Sequence, residues 1–569
     1  MSEPQGALAQ PTSYSDPGFS RFLRSAFLAA SGFDDEDINR PVVGIAMTAS
    51  DFNPCHRGVP DIVEAVKRGV IEAGGLPLVF PTMSLGETFI NPTSMLLRNL
   101  MAMETEELVR SQPMDAAVLI GGCDKTVPAQ AMAAVAAGIP VFLEVVGPML
   151  TNSWQGERVG ACTDCRRMWA KYRAGDLDQS QITEVQGALA TTSGTCMVMG
   201  TASTMACLVE TLGLMAPAGA TAPSPTGDRL RHALNTGRLA AQAAAAPATE
   251  PVRLTRGAVM NAAVVLAALG GSTNAIVHLL AIARRAGLDV TVRDLDEPLS
   301  SAPLLVDLKP SGTGYMEDFH RAGGLPVLLK VLEPMLDTSV RTADGRTLEE
   351  ALAEVSPPAD WQSVIRPLDN PIKPAPTLAV LSGSLAPDGA VLKVSSATES
   401  LFEHEGIAVV FDSPEDAAAR LDASDTSISA SDVLILRNAG PVGAGMPEAG
   451  SLPIPRALAE QGITDMVRVS DARMSGTSYG TVVLHCSPEG AIGGPIALVR
   501  DGDRIALSVS KRSIDVLVDE DELNRRRSEW QSPERWQARG WQTLYADQVM
   551  QADKGADLRF LSGVDGDGA

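Results

Sequence analysis

Three cysteines occupy short, glycine-bearing turns: Cys55 in DFNPCHRG (51–58), Cys123 in GGCDKT (121–126) and Cys196 in SGTC (193–196). Thiolates are soft ligands for iron, and glycines let backbone approach inorganic sulfides. Three separated thiols in such turns therefore suit an iron–sulfur cluster with one iron position open. The competing reading of each cysteine alone is a small buried hydrophobe. Cys55 and Cys123 rise above it because both follow an apolar run that reads as a strand. Glu87 and Asp124 are hard oxygen donors near these thiols and suggest a second metal, for which Mg²⁺ is the natural choice. An acid after a strand is otherwise a cap or a solvated residue. Lys125 reads equally as a ligand for a phosphate-like group, a Schiff-base lysine or an ion-pair partner.

Cys162 and Cys165 form a CxxC pair, but without a second pair it is incomplete as a structural zinc site. It falls in a helix-like segment (163–174), outside the set of strand ends. Cys207 and Cys486 read as packed small hydrophobes. Near the C-terminal end, SDARMSGTSYG (470–480) is dense in small hydroxyl residues, either a plain turn or a loop presenting a serine; it lacks the GxSxG elbow of a hydrolase. GPVGAGMPE (440–448) ends in Glu448, and no GKS or GKT follows to make it a phosphate loop.

The elements that must position these residues alternate in the first third. Strand-like runs at 42–47, 77–80, 116–120 and 141–146 are separated by helical periodicity at 59–73, 94–109 and 129–137. Strands alternating with helices predict a parallel sheet with right-handed crossovers, whose ligands bind beyond the carboxyl ends of the strands. In the last third, short β-rich runs at 378–381, 408–411, 433–436, 481–484, 505–509 and 514–518 are spaced by Gly, Pro, Asp and Ser, predicting a mostly β, barrel-like or sandwich domain. Pro367, Pro371, Pro374 and Pro376 mark the boundary. The expected division is an N-terminal arm (1–40), an α/β domain (41–370) and a β-barrel-like domain (371–569). An alanine-rich tract (240–248) reads as a helix end or surface connection.

Composition excludes several classes. The 569 residues are 45% hydrophobic and 20% charged, an ordinary globular balance, with only 4% aromatic. A net charge of −23 argues against nucleic acid or an anionic membrane as partner. The N-terminus has no basic start followed by an apolar core, which predicts a cytoplasmic protein. Seven cysteines in so long a chain fit a reducing compartment better than a disulfide framework. The stretch 257–283 carries no Asp, Glu, Lys or Arg, but Gly270-Gly271-Ser272-Thr273-Asn274 splits it into two helices too short to cross a bilayer.

Taken together and in this order, NPCHRG, GGCDKTVPA, SGTCMVMGTASTM, GPVGAGMPEAG and SDARMSGTSYGTVVLH resemble the dihydroxy-acid and sugar-acid dehydratases, the IlvD/Edd family, over nearly the full chain. The CDKT form and GETFINPTSMLLRNLMAM are closer to the pentonate and hexonate (arabinonate, xylonate) branch than to the branched-chain amino acid branch. The resemblance implies an N-terminal α/β domain, a C-terminal barrel-like domain and a homodimer or dimer of dimers. It implies that Cys55, Cys123 and Cys196 hold an iron–sulfur cluster, of the 2Fe-2S rather than the 4Fe-4S type in the sugar-acid branch. It implies that Glu87, Asp124 and Glu448 bind Mg²⁺ together with Lys125, carbamylated and so an oxygen ligand. Ser475 would be the base, as its alkoxide, with Thr477 beside the substrate. This chain departs from the family in His56-Arg57 beside the first cysteine and in the additional Cys162/Cys165 pair.

The implied chemistry is dehydration of an aldonate to a 2-keto-3-deoxy acid. A 2,3-dihydroxy acid must lose a weakly acidic C2 proton and a poor leaving group from C3, which calls for Lewis acids at both places and a base stronger than a serine hydroxyl alone. The alternatives are the dihydroxy-acid dehydratase of valine and isoleucine synthesis, an iron–sulfur redox or sensor protein using Cys162 and Cys165, and a non-catalytic zinc scaffold.

Overall fold

The apolar run VVGIAM forms β1 (Val42–Met47), followed by β2 (Leu76–Pro81), β3 (Ala116–Gly121) and β4 (Val141–Val145). The computed structural model describes residues 16–246, 253–422, 427–534 and 539–564. These four strands make one sheet in the order β2-β1-β3-β4, parallel throughout, with Ile45 opposite Val79 and Val118. Alternate side chains go to opposite faces. Val43, Ile45, Val118 and Ile120 pack under the helices Val59–Glu72 and Gly227–Ala245, while Val42, Ala46, Ala117 and Leu119 pack on the other side with Phe80, Val109 and Met114. Burial on both faces is why these strands are continuous apolar runs. The α/β expectation holds here. The alanine-rich tract ends the helix Gly227–Ala245, and its last residues lie outside the described ones, as do 1–15 of the expected arm.

One boundary differs in a way that matters. The third helix starts at Cys123, not near 129, and runs Cys123–Ala136. Pro128 lies within the first turns, where it costs only one backbone bond, because it has no N–H to donate to the Asp124 carbonyl. Cys123, Asp124 and Lys125 therefore project from a rigid helix start rather than from a loop.

A buried ion cluster fixes the far end of β4. Glu144 accepts from Arg229 (2.9 Å), His232 Nδ1 (2.8 Å) and Thr236 (2.7 Å), all fully or nearly fully buried. Burial alone would lower the pKa of His232, but the Glu144 carboxylate wins and raises it above 6.5. Burial would raise Glu144, and His232 with Arg229 hold it below 4.5. The histidine's contribution is complete below 6.5 and is lost as pH rises through its raised folded value, while the carboxylate's is complete above 4.5 and is lost as pH falls. His232→Asn is expected to destabilise by about 3 kcal/mol or more between those limits, and by less as pH rises further. Thermal unfolding of both proteins across that range checks it; a pH-independent difference would refute the ion pair.

An antiparallel hairpin, β5 (Asn152–Trp154) and β6 (Glu157–Val159), follows the first sheet. The chargeless stretch becomes two buried helices, Arg256–Ala268 and Asn274–Arg285, broken at Gly270 and Gly271. Among the described residues no helix is long and apolar enough to cross a membrane.

The C-terminal lobe has β7 (Ala379–Leu381), β8 (Gly389–Leu392), β9 (Glu403–Phe411), β10 (Val433–Leu436), β11 (Arg468–Ser470), β12 (Val482–Ser487), β13 (Arg504–Ser508) and β14 (Ser513–Val516). They form one mixed sheet, β14-β13-β9-β10-β11-β12-β8-β7, with β9 to β12 parallel and the flanking strands antiparallel. Ser382, next to β7, pairs with Ser513 of β14, so the sheet curls into a nearly closed barrel filled by Leu381, Val410, Ile435, Val469, Val483 and Ile505. The barrel-like expectation stands, although β8 and β11 had not been anticipated. The proline-rich stretch hugs the first lobe through pairs Leu304–Lys373 and Val306–Ile365. Val380, Val391, Met474, Val482 and Leu484 join the same hydrophobic cluster as the helices of the first lobe.

Candidate active site

Parallel pairing sends the turns after β1, β2 and β3 to one edge of the sheet, where Cys55, Glu87 and Cys123 emerge. His56 ties two of these turns together. The Gly122 N–H donates to its Nε2 (2.8 Å) and its Nδ1 lies 2.9 Å from the Thr48 carbonyl, so these partners assign the neutral Nδ1–H tautomer. Burial lowers its pKa, in keeping with a neutral ring. Cys123 has φ +68°, left-handed backbone that costs a non-glycine residue about 1 kcal/mol or more. Strain of this kind at the first residue of a helix is a mark of function.

The third thiol arrives by strapping 193–196 along the segment after β4. Thr195 N–H donates to the Gly147 carbonyl and Met149 N–H to the Thr195 carbonyl, each at 2.9 Å. Gly194 makes this possible: its φ is +121°, and a Cβ there would meet Gly147 O and Met149 N at 2.8 Å. The Cys123 thiol, with burial, pushes Cys55 well up, so the two thiols are neighbours. The charge of the Asp124 carboxylate adds to the upward shift of Cys55, Cys162 and Cys196.

Hard donors collect behind the thiols. Lys125 Nζ donates to Glu87 Oε2 (3.2 Å), as does Ser94 Oγ. Arg473, fully buried, donates to Glu448 Oε1 (2.5 Å), Glu87 Oε1 (2.9 Å), Thr93 Oγ1 (3.1 Å) and, through Nε, the Met446 carbonyl (2.8 Å). Burial would raise Glu87, but Lys125 and Arg473 hold its carboxyl far below the usual range. Asp124 has no such direct partner, and burial pushes it up to about 6 despite Lys125. A buried carboxylate that its own protein leaves under-compensated, beside two more carboxylates, is a donor set short of cationic charge.

The serine loop is held at three points. Asp471 accepts from the N–H groups of Asn438, Ala439 (each 3.0 Å) and Gly490 (2.8 Å), tying it to the segment that leads to Glu448. Arg473 pins it to Glu87. Gly476 docks on the first lobe, where a Cβ would meet Thr201 N at 2.7 Å and Ser272 Oγ at 2.8 Å. Between these anchors Ser475, partly exposed, places Oγ 3.1 Å from Thr477 Oγ1. Gly476→Ala is expected to push the loop away, lowering kcat by about 10²-fold and stability by about 1–3 kcal/mol. Steady-state kinetics with thermal unfolding check this; unchanged kcat would mean the docking is dispensable.

Of the nine residues singled out by sequence, the structure joins Cys55 to Cys123, Lys125 to Glu87, Glu87 to Glu448 through Arg473, and Ser475 to Thr477. Cys207 and Cys486 are buried, as expected. The CxxC pair does lie at a helix start away from the strand ends, yet Cys162 Sγ comes within 2.9 Å of Cys196 Sγ. Arg473 went unassigned in the sequence; an arginine inside a hydroxyl-rich loop, with acids to pair elsewhere, was its only signal. A cavity of about 830 Å³ lined by Phe142, Leu212, Leu239 and Arg341 contains none of these groups.

Residues 40–351 match the N-terminal model of the dihydroxy-acid/6-phosphogluconate dehydratases and residues 363–556 the C-terminal model. The chain belongs to this dehydratase family. It is therefore a hydro-lyase. It is 44% identical over 531 residues to the 6-deoxy-6-sulfo-D-gluconate dehydratase of Pseudomonas putida, covering 93% of this chain and 91% of that protein. It is 42% identical over 531 residues to the L-arabinonate dehydratase of Rhizobium leguminosarum bv. trifolii (strain WSM2304), with the same coverage of 93% and 91%. The dihydroxy-acid dehydratase of Synechococcus sp. (strain CC9605) is 36% identical over 553 residues, 95% of this chain and 97% of that protein.

Proposed function

We propose that this dehydratase acts on a sugar acid, removing water from C2 and C3 of an aldonate to give a 2-keto-3-deoxy acid. The observation that carries the reading is Arg473, which bonds to both Glu87 and Glu448 and so brings the serine loop to the carboxylates, with Lys125 bonded to Glu87 from the turn of Cys123. In this reading Cys55, Cys123 and Cys196 would hold an iron–sulfur cluster, and Glu87, Asp124, Glu448 and a carbamylated Lys125 would hold Mg²⁺. Bound there, the two would supply Lewis acidity for the C3 hydroxyl and for the carboxylate with its C2 hydroxyl.

The chain's own residues do the rest. Ser475 Oγ takes the C2 proton, with Thr477 Oγ1 holding its orientation. Arg473 keeps the serine loop in register with Glu87 and Glu448. Gly476 seats the serine loop against Thr201 and Ser272 of the first lobe. A carbamate on Lys125 would replace a buried ammonium by an anion beside Glu87, which is stable only with a cation present. Intact-mass measurement would read it as the gain of one CO₂.

The test is turnover by anaerobically reconstituted protein, with keto-acid detection, on L-arabinonate, D-xylonate, 6-deoxy-6-sulfo-D-gluconate and 2,3-dihydroxyisovalerate. Preference for an aldonate is expected. Turnover of only the branched-chain acid would overturn the reading in favour of the activity named for the 36% identical relative.

A further inference from the structure

We propose that Cys162 and Cys165 form an internal thiol–disulfide relay that returns Cys196 to its reduced state after oxidation. The reading above enters only in what Cys196 is for; the thiol chemistry stands on the geometry. Cys162 is the middle of three sulfurs. Its Sγ is 2.9 Å from Cys196 Sγ, and Cys165 stands three residues on in the first turn of the same helix, near enough for Cys162 to push its thiol up. All three residues are half-buried.

The local fold holds this line of sulfurs in place. Cys162 caps the helix Thr163–Ala174 and Cys165 lies in its first turn. Between them the buried Asp164 accepts from Gly160 N–H (3.0 Å), Tyr315 OH (2.6 Å), Lys309 Nζ (3.0 Å) and Arg167 Nη2 (3.0 Å). Met149, Ala161, Met197 and Tyr315 pack around the same cysteines. Cys55 and Cys123 face each other instead, so of the three proposed cluster thiols only Cys196 has a neighbouring CxxC pair.

The relay balances with a small-molecule disulfide such as oxidised glutathione as oxidant. The Cys196 thiolate attacks its S–S bond, and one glutathione thiolate leaves. Cys162 attacks the Cys196 sulfur of the mixed disulfide, the second glutathione leaves, and a Cys162–Cys196 bond forms. Cys165 then attacks the Cys162 sulfur, Cys196 departs as a thiolate, and the oxidation ends as a Cys162–Cys165 disulfide. One disulfide has been reduced to two thiols, which carry the protons lost by Cys162 and Cys165. Without Cys165 the same oxidation stops with Cys196 blocked.

The test uses the full chain, free of cluster, reduced, desalted, exposed to oxidised glutathione at mildly alkaline pH, and quenched with N-ethylmaleimide for peptide mapping by mass spectrometry. The unmodified chain should show a Cys162–Cys165 disulfide and labelled Cys196. Cys165→Ser should trap Cys162–Cys196 and lower Cys196 labelling by about tenfold or more. Cys162→Ser should leave Cys196 as a mixed disulfide with glutathione. Equal Cys196 labelling in the unmodified chain and Cys165→Ser would overturn the relay. So would loss of iron and sulfide from reconstituted Cys162→Ser to the level of Cys123→Ser, which would make Cys162 a cluster ligand. The thiol map requires no turnover, so failure of the relay and failure of the sugar-acid reading are separately visible.

Discussion

Ser475→Ala is expected to lower kcat by about 10³-fold or more while iron and sulfide content stay at the level of the unmodified protein. Among the described residues Ser475 Oγ bonds only to Thr477. The loop that carries it is anchored by Asp471, Arg473 and Gly476, and none of those contacts uses Ser475 Oγ, whose one side-chain partner is Thr477. A change confined to kcat separates a proton-transfer role from a structural one. Cys123→Ser, by contrast, should lose iron and turnover together, since it removes a proposed ligand. Keto-acid assays beside iron and sulfide determination read both variants. Near-normal turnover in Ser475→Ala would remove it as the base.

Arg473→Met should be the most destabilising single change in the site, by about 3–5 kcal/mol in metal-free protein. The guanidinium is buried between Glu87 and Glu448, and neither carboxylate is more than about a quarter exposed. Methionine fills much of the volume but leaves two acids with Lys125 as their remaining close cation, beside an Asp124 that is already pushed up to about 6. It also releases the serine loop from the first lobe, so activity falls with stability. Added Mg²⁺ should recover part of the stability, because a divalent ion supplies the missing charge, whereas Arg473→Lys should recover stability better than activity, since one ammonium cannot reproduce the bonds to both carboxylates. Denaturant unfolding with and without Mg²⁺ checks this. A loss below about 1 kcal/mol in metal-free protein would show that the arginine is not the counter-charge.

Much of the fold was legible because its signals are local. Val42–Met47 and Ala116–Gly121 are apolar runs bounded by turn residues, and the helices between them repeat at 3.6 residues, so a parallel sheet followed, as did the edge where Cys55, Glu87 and Cys123 gather. The break at Gly270-Gly271 was equally plain. β8 and β11 were not, because strands of three or four residues carry too little alternation to stand out, and their partners are distant in the chain. Nor was the start of the helix at Cys123, where Pro128 is tolerated because it lies so near the N-terminus.

The sequence by itself determined the kinds of chemistry: soft thiols in glycine turns, hard acids, a hydroxyl-rich loop, and motifs whose order marks a dehydratase. Only the tertiary structure decided which of them meet. Cys162 and Cys196 are 34 positions apart, and Arg473 and Glu87 are 386 apart. No periodicity encodes such pairs. They follow from the strapping of 193–196 along β4's end and from the docking of one lobe on another at Gly476, where packing, not local propensity, selects the neighbour.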